Sequence, residues 1–213
     1  MDSRPMFLDT NIYLGYALDA RFEVFHDDCS LIFKVNRDRH TCETVRTELR
    51  TKEKDRQNLY LDLLKHLDSH NPPDQFNFRR LKESDQNHAK LVFELFSKSK
   101  LGLEYLRILG AELREGILSG LKKTIKPYVK ESTDGQMKQH FELNTGIHYP
   151  DNLILTDFFD WAFPRTGSIF VTGDGGIHQK RGLIIQHVET CKGHCGHLDL
   201  QFIREAASKL RFN

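Results

Sequence analysis

Four short runs along the chain predict β-strands, and the longer segments between them carry the period of amphipathic helices. The strands are expected at residues 6–8, 40–42, 168–172 and 183–188, which are mostly apolar or β-branched. Asp9 follows the first strand, and a glycine-rich turn follows the third. Strand, helix and strand in this order are typical of a parallel sheet with crossover helices, so the pattern predicts an α/β fold.

The middle of the chain, at about residues 53–147, is predicted to be mostly helical. One stripe of leucines runs from Leu59 to Leu67 and stops before Pro72. A second apolar stripe spans residues 91–121, where four glycines divide it into two or more helices. We expect this segment to be an insertion in the α/β domain.

The composition indicates a soluble protein with one domain at residues 1–213, in which residues 189–213 form a C-terminal extension. The chain has 31 basic and 30 acidic side chains, so any binding of nucleic acid must come from local patches. No apolar run reaches the ~18 residues of a membrane helix, and the first residues lack the apolar core of a secretion signal. We therefore expect a cytoplasmic location, no membrane partner, and four cysteines that stay reduced.

Acidic side chains follow two of the predicted strands. Asp9 comes directly after the first strand, and Asp174 comes shortly after the third. Because parallel strands end at the same edge of a sheet, both acids are expected there. Asp151 begins a helix that leads into the third strand, so it should lie at this edge too. Glu48, about one turn into an early helix, is the fourth candidate.

A cluster of four carboxylates points to a divalent cation. Like charges at close range raise one another's pKa, and a cation offsets this cost. Mg²⁺ prefers oxygen ligands and can polarise a phosphoryl oxygen, so hydrolysis of a phosphodiester is the expected reaction. Plainer roles stay open, since Asp9 could only cap a helix and Asp174 could only form a turn. Glu43 also competes with Glu48 for the fourth position.

Four short sequence blocks surround these acids. They are FLDTNI at residues 7–12, VRTELR at 45–50, PDNLIL at 150–155 and FVTGD at 170–174. The residues in these blocks and the order of the blocks resemble those of the PIN-domain nucleases. The resemblance implies a Rossmann-like, three-layer α/β/α sandwich with a central parallel sheet, to which this chain adds the helical insertion. It also implies Mg²⁺ or Mn²⁺ in an acidic pocket and cleavage of single-stranded or structured RNA by an endoribonuclease.

The resemblance assigns a role to each acid. Asp9 would be the central metal ligand. Glu48 and Asp151 would complete the site, and Asp174 would bind or position the ion. Three further residues match positions that usually support the site: Thr10, Asn11 and Thr172. Asp157 is an extra acid six residues after Asp151, which turns it away at about 100° per residue, so we expect a surface charge that reaches at most the pocket rim.

A basic stretch offers contacts to RNA phosphates. Residues 119–130 hold no acid, and they contain Tyr128, whose ring could stack on a base. The same stretch contains four lysines: Lys122, Lys123, Lys126 and Lys130. His178 and Arg181, just past Asp174, could also contact a phosphate. A solvated helix face and ordinary loop polarity explain these residues equally well.

The segment rich in Cys and His near residue 195 is not expected to bind zinc. Its four potential ligands are Cys191, His194, Cys195 and His197. They lie within one short loop, whereas structural zinc sites usually combine two separated pairs of ligands.

Two other functions compete with the nuclease. In a haloacid-dehalogenase-like phosphatase, the loop around Asp174 would bind magnesium, but that family needs a second aspartate where Asn11 stands. A non-catalytic PIN-like module would bind RNA or protein without cutting, and the presence of all four acids argues against it. A second copy of the chain and a protein inhibitor would be further partners, and the sequence does not decide on either.

Overall fold

The fold is built on a four-stranded sheet in which every strand is parallel to its neighbours. The computed structural model describes residues 4–69, 76–78, 81, 83–98, 102–165, 167–196 and 198–211. The strands are β1 (Met6–Leu8), β2 (Arg39–His40), β3 (Ser168–Thr172) and β4 (Leu198–Phe202). Their order is β2-β1-β3-β4, so β1 lies inside the sheet. The α/β class predicted from the sequence is therefore confirmed, and the arrangement is compatible with a three-layer sandwich.

The described residues also form ten α-helices and one π-helical turn. The helices are α1 (Thr10–Ala17), α2 (His26–Lys34), α3 (Glu43–Asp68), α4 (Glu83–Ser97), α5 (Tyr105–Lys122), α6 (Gly135–His140), α7 (Asp151–Ala162), α8 (Gly175–Gln179), α9 (Arg181–Lys192) and α10 (Ile203–Arg211). The π-helical turn is Phe141–Thr145. Within the described residues, no helix is long and apolar enough to cross a membrane.

The strand expected at residues 183–188 is wrong, because this segment lies within α9. Ile184 and Val188 are buried four residues apart, whereas Leu183 is exposed, which is a helical period and not a strand period. The fourth strand is instead β4, which lies in the segment expected to be a C-terminal extension. It pairs with β3 over its whole length, from Ser168 with Leu198 to Thr172 with Phe202.

Aromatic packing holds the centre of the sheet. Phe7 on β1 is fully buried, and its ring lies 5.6 Å from that of Phe158, 5.6 Å from that of Trp161 and 6.0 Å from that of Phe170. A parallel strand covered on both faces is apolar throughout, and all three residues of β1 are buried. This packing fixes the strand end that carries Asp9.

The helical middle of the chain packs closely against the N-terminal elements. Helix α5 lies against α1, and a Cβ placed on Gly116 would come within 2.0 Å of the carbonyl oxygen of Ala17. Only glycine allows this approach. Helix α3 runs without a break through residue 53, where the insertion was expected to begin.

The segment at residues 125–129 runs beside β2 at the edge of the sheet. The amide of Ile125 donates to the carbonyl of Arg39 at 2.8 Å, and that of Val129 donates to Thr41 at 2.9 Å. The amide of Glu43 then donates to the carbonyl of Val129 at 2.9 Å. These bonds bring the segment to the carboxyl edge of the sheet, next to the start of α3.

Candidate acidic site

Asp9 lies at the carboxyl end of β1 and caps α1. Its side chain is 1% exposed. One carboxylate oxygen accepts from the amide of Thr10 at 2.6 Å. The other accepts from the hydroxyl of Thr172 at 2.7 Å and from the amide group of Asn11 at 3.4 Å. Asp9 therefore caps α1 and is also buried, and three hydrogen-bond donors fix the orientation of its carboxylate.

Two threonines connect Asp9 to the neighbouring acids. The hydroxyl of Thr10 donates to Oε2 of Glu48 at 2.5 Å, which joins the start of α1 to α3. The hydroxyl of Thr172 accepts from the amide of Asp174 at 2.9 Å while it donates to Asp9. A continuous chain of bonded groups thus runs from Glu48 to Asp174, and the three supporting residues expected from the sequence all lie in or beside it.

Asp174 and Asp151 each begin a helix at this edge. Asp174 caps α8 by accepting from the amide of Ile177 at 2.9 Å. Asp151 is the first residue of α7, and this helix runs back toward the start of β3. A helix that precedes a parallel strand begins near the end of that strand, so Asp151 lies on the same side of the sheet as Asp9.

The four acids share one electrostatic environment. Burial, followed by the charges of Asp151 and Glu48, raises the pKa of Asp9 to about 8. Burial, followed by the charges of Glu48 and Asp174, raises the pKa of Asp151 to about 7. Such shifts mean that the fold places carboxylates where their charged forms are disfavoured, a pattern that is common in functional sites.

Lys52 is a member of this environment that the sequence did not predict. It lies four residues after Glu48, on the same face of α3, and its positive charge opposes the rise in the pKa of Asp151. It is buried, and its Nζ atom lies 2.8 Å from a carboxylate oxygen of Asp85 on α4. The spacing of four residues from Glu48 was the available signal in the sequence.

The expectation for Asp157 was wrong, because this residue is fully buried. Its carboxylate accepts from the hydroxyl of Thr44 at 2.9 Å and from the amide of Ser132 at 2.7 Å. The helical rotation does turn it away from Asp151, but α3 and the chain before α6 cover that face of α7. Asp157 therefore ties these segments together and is not a surface charge.

The basic residues expected to contact RNA lie in different surroundings. Lys122 and Lys126 line a groove of about 770 Å³ together with Tyr128. Lys123 instead donates to the hydroxyl of Tyr16 at 2.6 Å, which draws it toward α1. Lys130 is exposed and does not line this groove.

His178 and Arg181 both contact Glu205 on α10. The distances to Oε2 of Glu205 are 3.5 Å from Nε2 of His178 and 3.3 Å from Nη1 of Arg181. These contacts with Glu205 help to hold α10 in place. Both stay partly exposed beside the turn that carries Asp174.

The potential zinc ligands lie in different environments. Cys195 is buried and Cys191 is exposed, while Nδ1 of His194 lies 3.0 Å from a carboxylate oxygen of Glu189. His197 lies outside the described residues. Across the part of the chain that the structure describes, no three His, Cys, Asp or Glu side chains are placed to hold a metal ion.

The chemistry of the acidic site nevertheless fits a hard divalent cation. Its donors are carboxylate oxygens whose negative charge is incompletely offset, and Mg²⁺ and Mn²⁺ prefer such oxygen ligands. The side-chain oxygen of Asn152, next to Asp151, is buried and accepts no hydrogen bond from the described residues. The charges of the carboxylates affect one another, but no three of these side chains in the described residues are placed to bind the same ion. The site therefore suits a divalent cation by its type of donor atom and does not form a coordination sphere.

Fold and site together define an α/β protein whose parallel sheet carries four interacting acids at its carboxyl edge. Compared with protein-family models, with curated proteins and with solved structures, the chain shows no significant match. The function of the chain is therefore inferred from the chemistry of its acidic site.

Proposed function

We propose that this chain is a PIN-like, divalent-metal-dependent nuclease that hydrolyses phosphodiester bonds of RNA. The observation that carries the proposal is the buried carboxylate of Asp9 at the carboxyl edge of a parallel sheet, which Thr10 connects to Glu48 and Thr172 connects to Asp174. Proteins rarely bury acids of like charge together without a compensating cation or a catalytic need. The order of the sequence blocks around the acids supports the choice of family.

The proposed roles follow from the contacts of each residue. Asp9, Asp151 and Asp174 would hold Mg²⁺ or Mn²⁺, and Glu48 would complete the set. Thr10 and Thr172 position the carboxylates through the hydrogen bonds described above. A divalent cation supplies a Lewis acid toward a phosphoryl oxygen when it is bound.

The test compares cleavage of a labelled single-stranded RNA by the wild type and by Asp9→Asn, with Mg²⁺, with Mn²⁺ and with chelator. We expect Asp9→Asn and chelation each to reduce the rate by roughly 100-fold or more, because several kcal/mol of transition-state stabilisation would be lost. The matched control is Glu115→Gln, which neutralises an exposed acid on α5 and should cleave at the wild-type rate. Equal rates for the wild type and Asp9→Asn would contradict the proposal.

A non-catalytic RNA-binding protein is the second candidate. It is favoured by one observation, that no three acids of the described residues are placed as metal ligands. This candidate predicts RNA binding that is unaffected by chelator, together with no cleavage under any of the three conditions. The same experiment therefore separates the two functions.

A further inference from the structure

A groove lies between α3 and α5. Its main part has a volume of about 770 Å³ and is lined by Arg46, Lys122, Lys126 and Tyr128, with Leu118 and Leu121 along α5. A second cavity of about 260 Å³ shares Arg46 and both leucines with it and extends it along the two helices. We call the two cavities together the α3–α5 groove.

The α3–α5 groove has a local excess of positive charge. Five basic side chains line it: Arg46, Arg50, Arg114, Lys122 and Lys126. Its two acids are each close to an arginine, since Glu43 lies 3.1 Å from Arg46 and Glu53 lies 3.8 Å from Arg114. Five cations against two acids leave three positive charges, although the whole chain carries only +1. An elongated anionic ligand fits this distribution better than a neutral one.

An aromatic ring lies among these cations. The guanidinium of Arg46 lies 5.4 Å from the ring centre of Tyr128, and Nζ of Lys126 lies 6.0 Å from it. Leu118 stays 40% exposed beside them, which gives the groove an apolar wall. Surfaces that combine basic side chains with an accessible ring bind single-stranded nucleic acid through phosphates and stacked bases. An acidic peptide would use the cations but would gain little from the ring.

The groove also reaches the edge of the sheet where the acids lie. Tyr128 belongs to the segment beside β2, at the start of α3. Arg46 precedes Glu48 by two residues and thus lies about 200° around the same helix. The groove and the acidic site therefore flank opposite sides of the first turns of α3.

We propose that the α3–α5 groove binds single-stranded RNA, with phosphates at Arg46, Lys122 and Lys126 and with a base stacked on Tyr128. The choice of RNA rests on the proposed nuclease function. Binding itself does not require cleavage, so the groove and the nuclease activity can be tested separately.

The experiment measures the fluorescence anisotropy of a labelled 12-nucleotide oligouridine with full-length Asp9→Asn protein in chelator, over a range of salt concentrations. In this background the RNA stays intact. The double variant Lys122→Ala/Lys126→Ala should raise Kd about tenfold and lower the slope of log K against log salt by about 1.4, since each phosphate contact to a single strand contributes about 0.7. Tyr128→Ala should raise Kd by roughly tenfold, and Tyr128→Phe should keep the affinity because it keeps the ring.

The charge-matched control is Lys54→Ala/Lys90→Ala, which removes two exposed lysines that do not line the groove. It should stay within about twofold of the parent, as expected for non-specific surface charge. Circular dichroism of each variant checks that it is folded.

Three outcomes decide the proposal. Groove variants that bind the RNA as tightly as the parent would overturn it. A polyglutamate peptide that competes as well as RNA, with no effect of Tyr128→Ala, would also overturn it and would assign the groove to an acidic protein segment. Binding that depends on the groove in a protein that cleaves under no condition would support the groove and reject the nuclease.

Discussion

Asp9 and Arg56 are both buried ionisable side chains near α3, yet their surroundings handle charge in opposite ways. Asp9 is surrounded by acids, and the pKa values of Asp9 and Asp151 are raised. Arg56 is 5% exposed and forms a close ion pair with Glu23. Its Nε atom lies 3.9 Å from a carboxylate oxygen of Asp85, which itself pairs with Lys52.

The surroundings of Arg56 balance its charge, although its buried Nε atom has no hydrogen-bond partner among the described residues. Burial opposes the charge of Glu23, but Arg56 and His88 hold the pKa of Glu23 below its ordinary value. Burial and the charge of Arg56 lower the pKa of His88, so its ring is neutral. Its Nε2 atom can then accept from the hydroxyl of Tyr60 at 2.8 Å, while Nδ1 donates to the carbonyl of Phe22 at 3.2 Å.

The difference separates a structural role from a functional one. A balanced group of buried charges stabilises a fold only while every partner is present. A group of like charges costs stability in its own right, and its retention is explained by what it binds or does. The sign of the stability change on mutation should therefore differ between the two groups.

The largest effect is expected for Arg56→Met. This change leaves Glu23 buried without its cation, so the free energy of unfolding should fall by about 3–5 kcal/mol. Urea unfolding at pH 7 measures it. The control is Arg107→Ala, which removes an exposed pair with Glu104 at 3.0 Å and should cost less than about 1 kcal/mol. Similar losses of unfolding free energy for Arg56→Met and Arg107→Ala would show that the buried charges around Arg56 are no more important for stability than an exposed ion pair.

A smaller effect of opposite sign is expected for the acidic site. Folding raises the pKa of Asp9 to about 8 and that of Asp151 to about 7, both from 3.8. A group whose pKa is raised by folding stabilises the protein below its unfolded pKa, and this contribution is lost as the pH rises through the folded pKa. Without metal, the free energy of unfolding should therefore fall by up to about 1.4 kcal/mol per pH unit for each of the two groups between pH 5 and pH 7.

Asp9→Asn is the variant that checks this pH dependence. It removes one of the buried charges, so it should flatten the slope and be about 2 kcal/mol more stable than the wild type at pH 8. Denaturant unfolding at several pH values, in chelator, gives both quantities. A wild-type stability that stays constant from pH 5 to pH 8 would show that the carboxylates do not interact as described.

The smallest effect concerns added metal. At pH 8, 10 mM Mg²⁺ should stabilise the wild type by about 1 kcal/mol, because a ligand that binds only the folded state shifts unfolding by mass action. The thermal midpoint with Mg²⁺ and with an equal ionic strength of NaCl measures the specific part. Asp9→Asn should respond equally to both salts, and an Mg²⁺ response of wild-type size in this variant would place the ion elsewhere.

The strands and acids that could be predicted from the sequence have local signals. Residues 6–8 and 168–172 are apolar and end at small polar residues, and this pattern suffices for β1 and β3. Local signals fail for the fourth strand, which was predicted at residues 183–188 but lies at β4, while residues 183–188 belong to α9. Ile184 and Ile185 are β-branched but fold as helix, since tertiary packing overrides such weak preferences. In β4, Asp199 and Gln201 dilute the apolar pattern.

The parts of the site that could not be predicted depend on distant contacts. Asp157 is buried because Ser132, 25 residues away, covers it. Lys52 has a local signal in its spacing from Glu48, but its ion pair with Asp85, on a different helix, has none. No spacing rule within one helix contains that information, so sequence patterns identify the ends of strands more reliably than the partners that complete them.

The central place of β1 has a consequence for the order in which the site can form during synthesis. The strand that pairs with β1 on one side ends at residue 40, but the strand on its other side begins only at residue 168. A nascent chain of 140 residues therefore holds Asp9 and Glu48 and lacks both other acids. Contacts of such long range form late. The four carboxylates come together only once Asp151 and Asp174 have been translated, so a growing or truncated polypeptide cannot assemble the whole acidic centre.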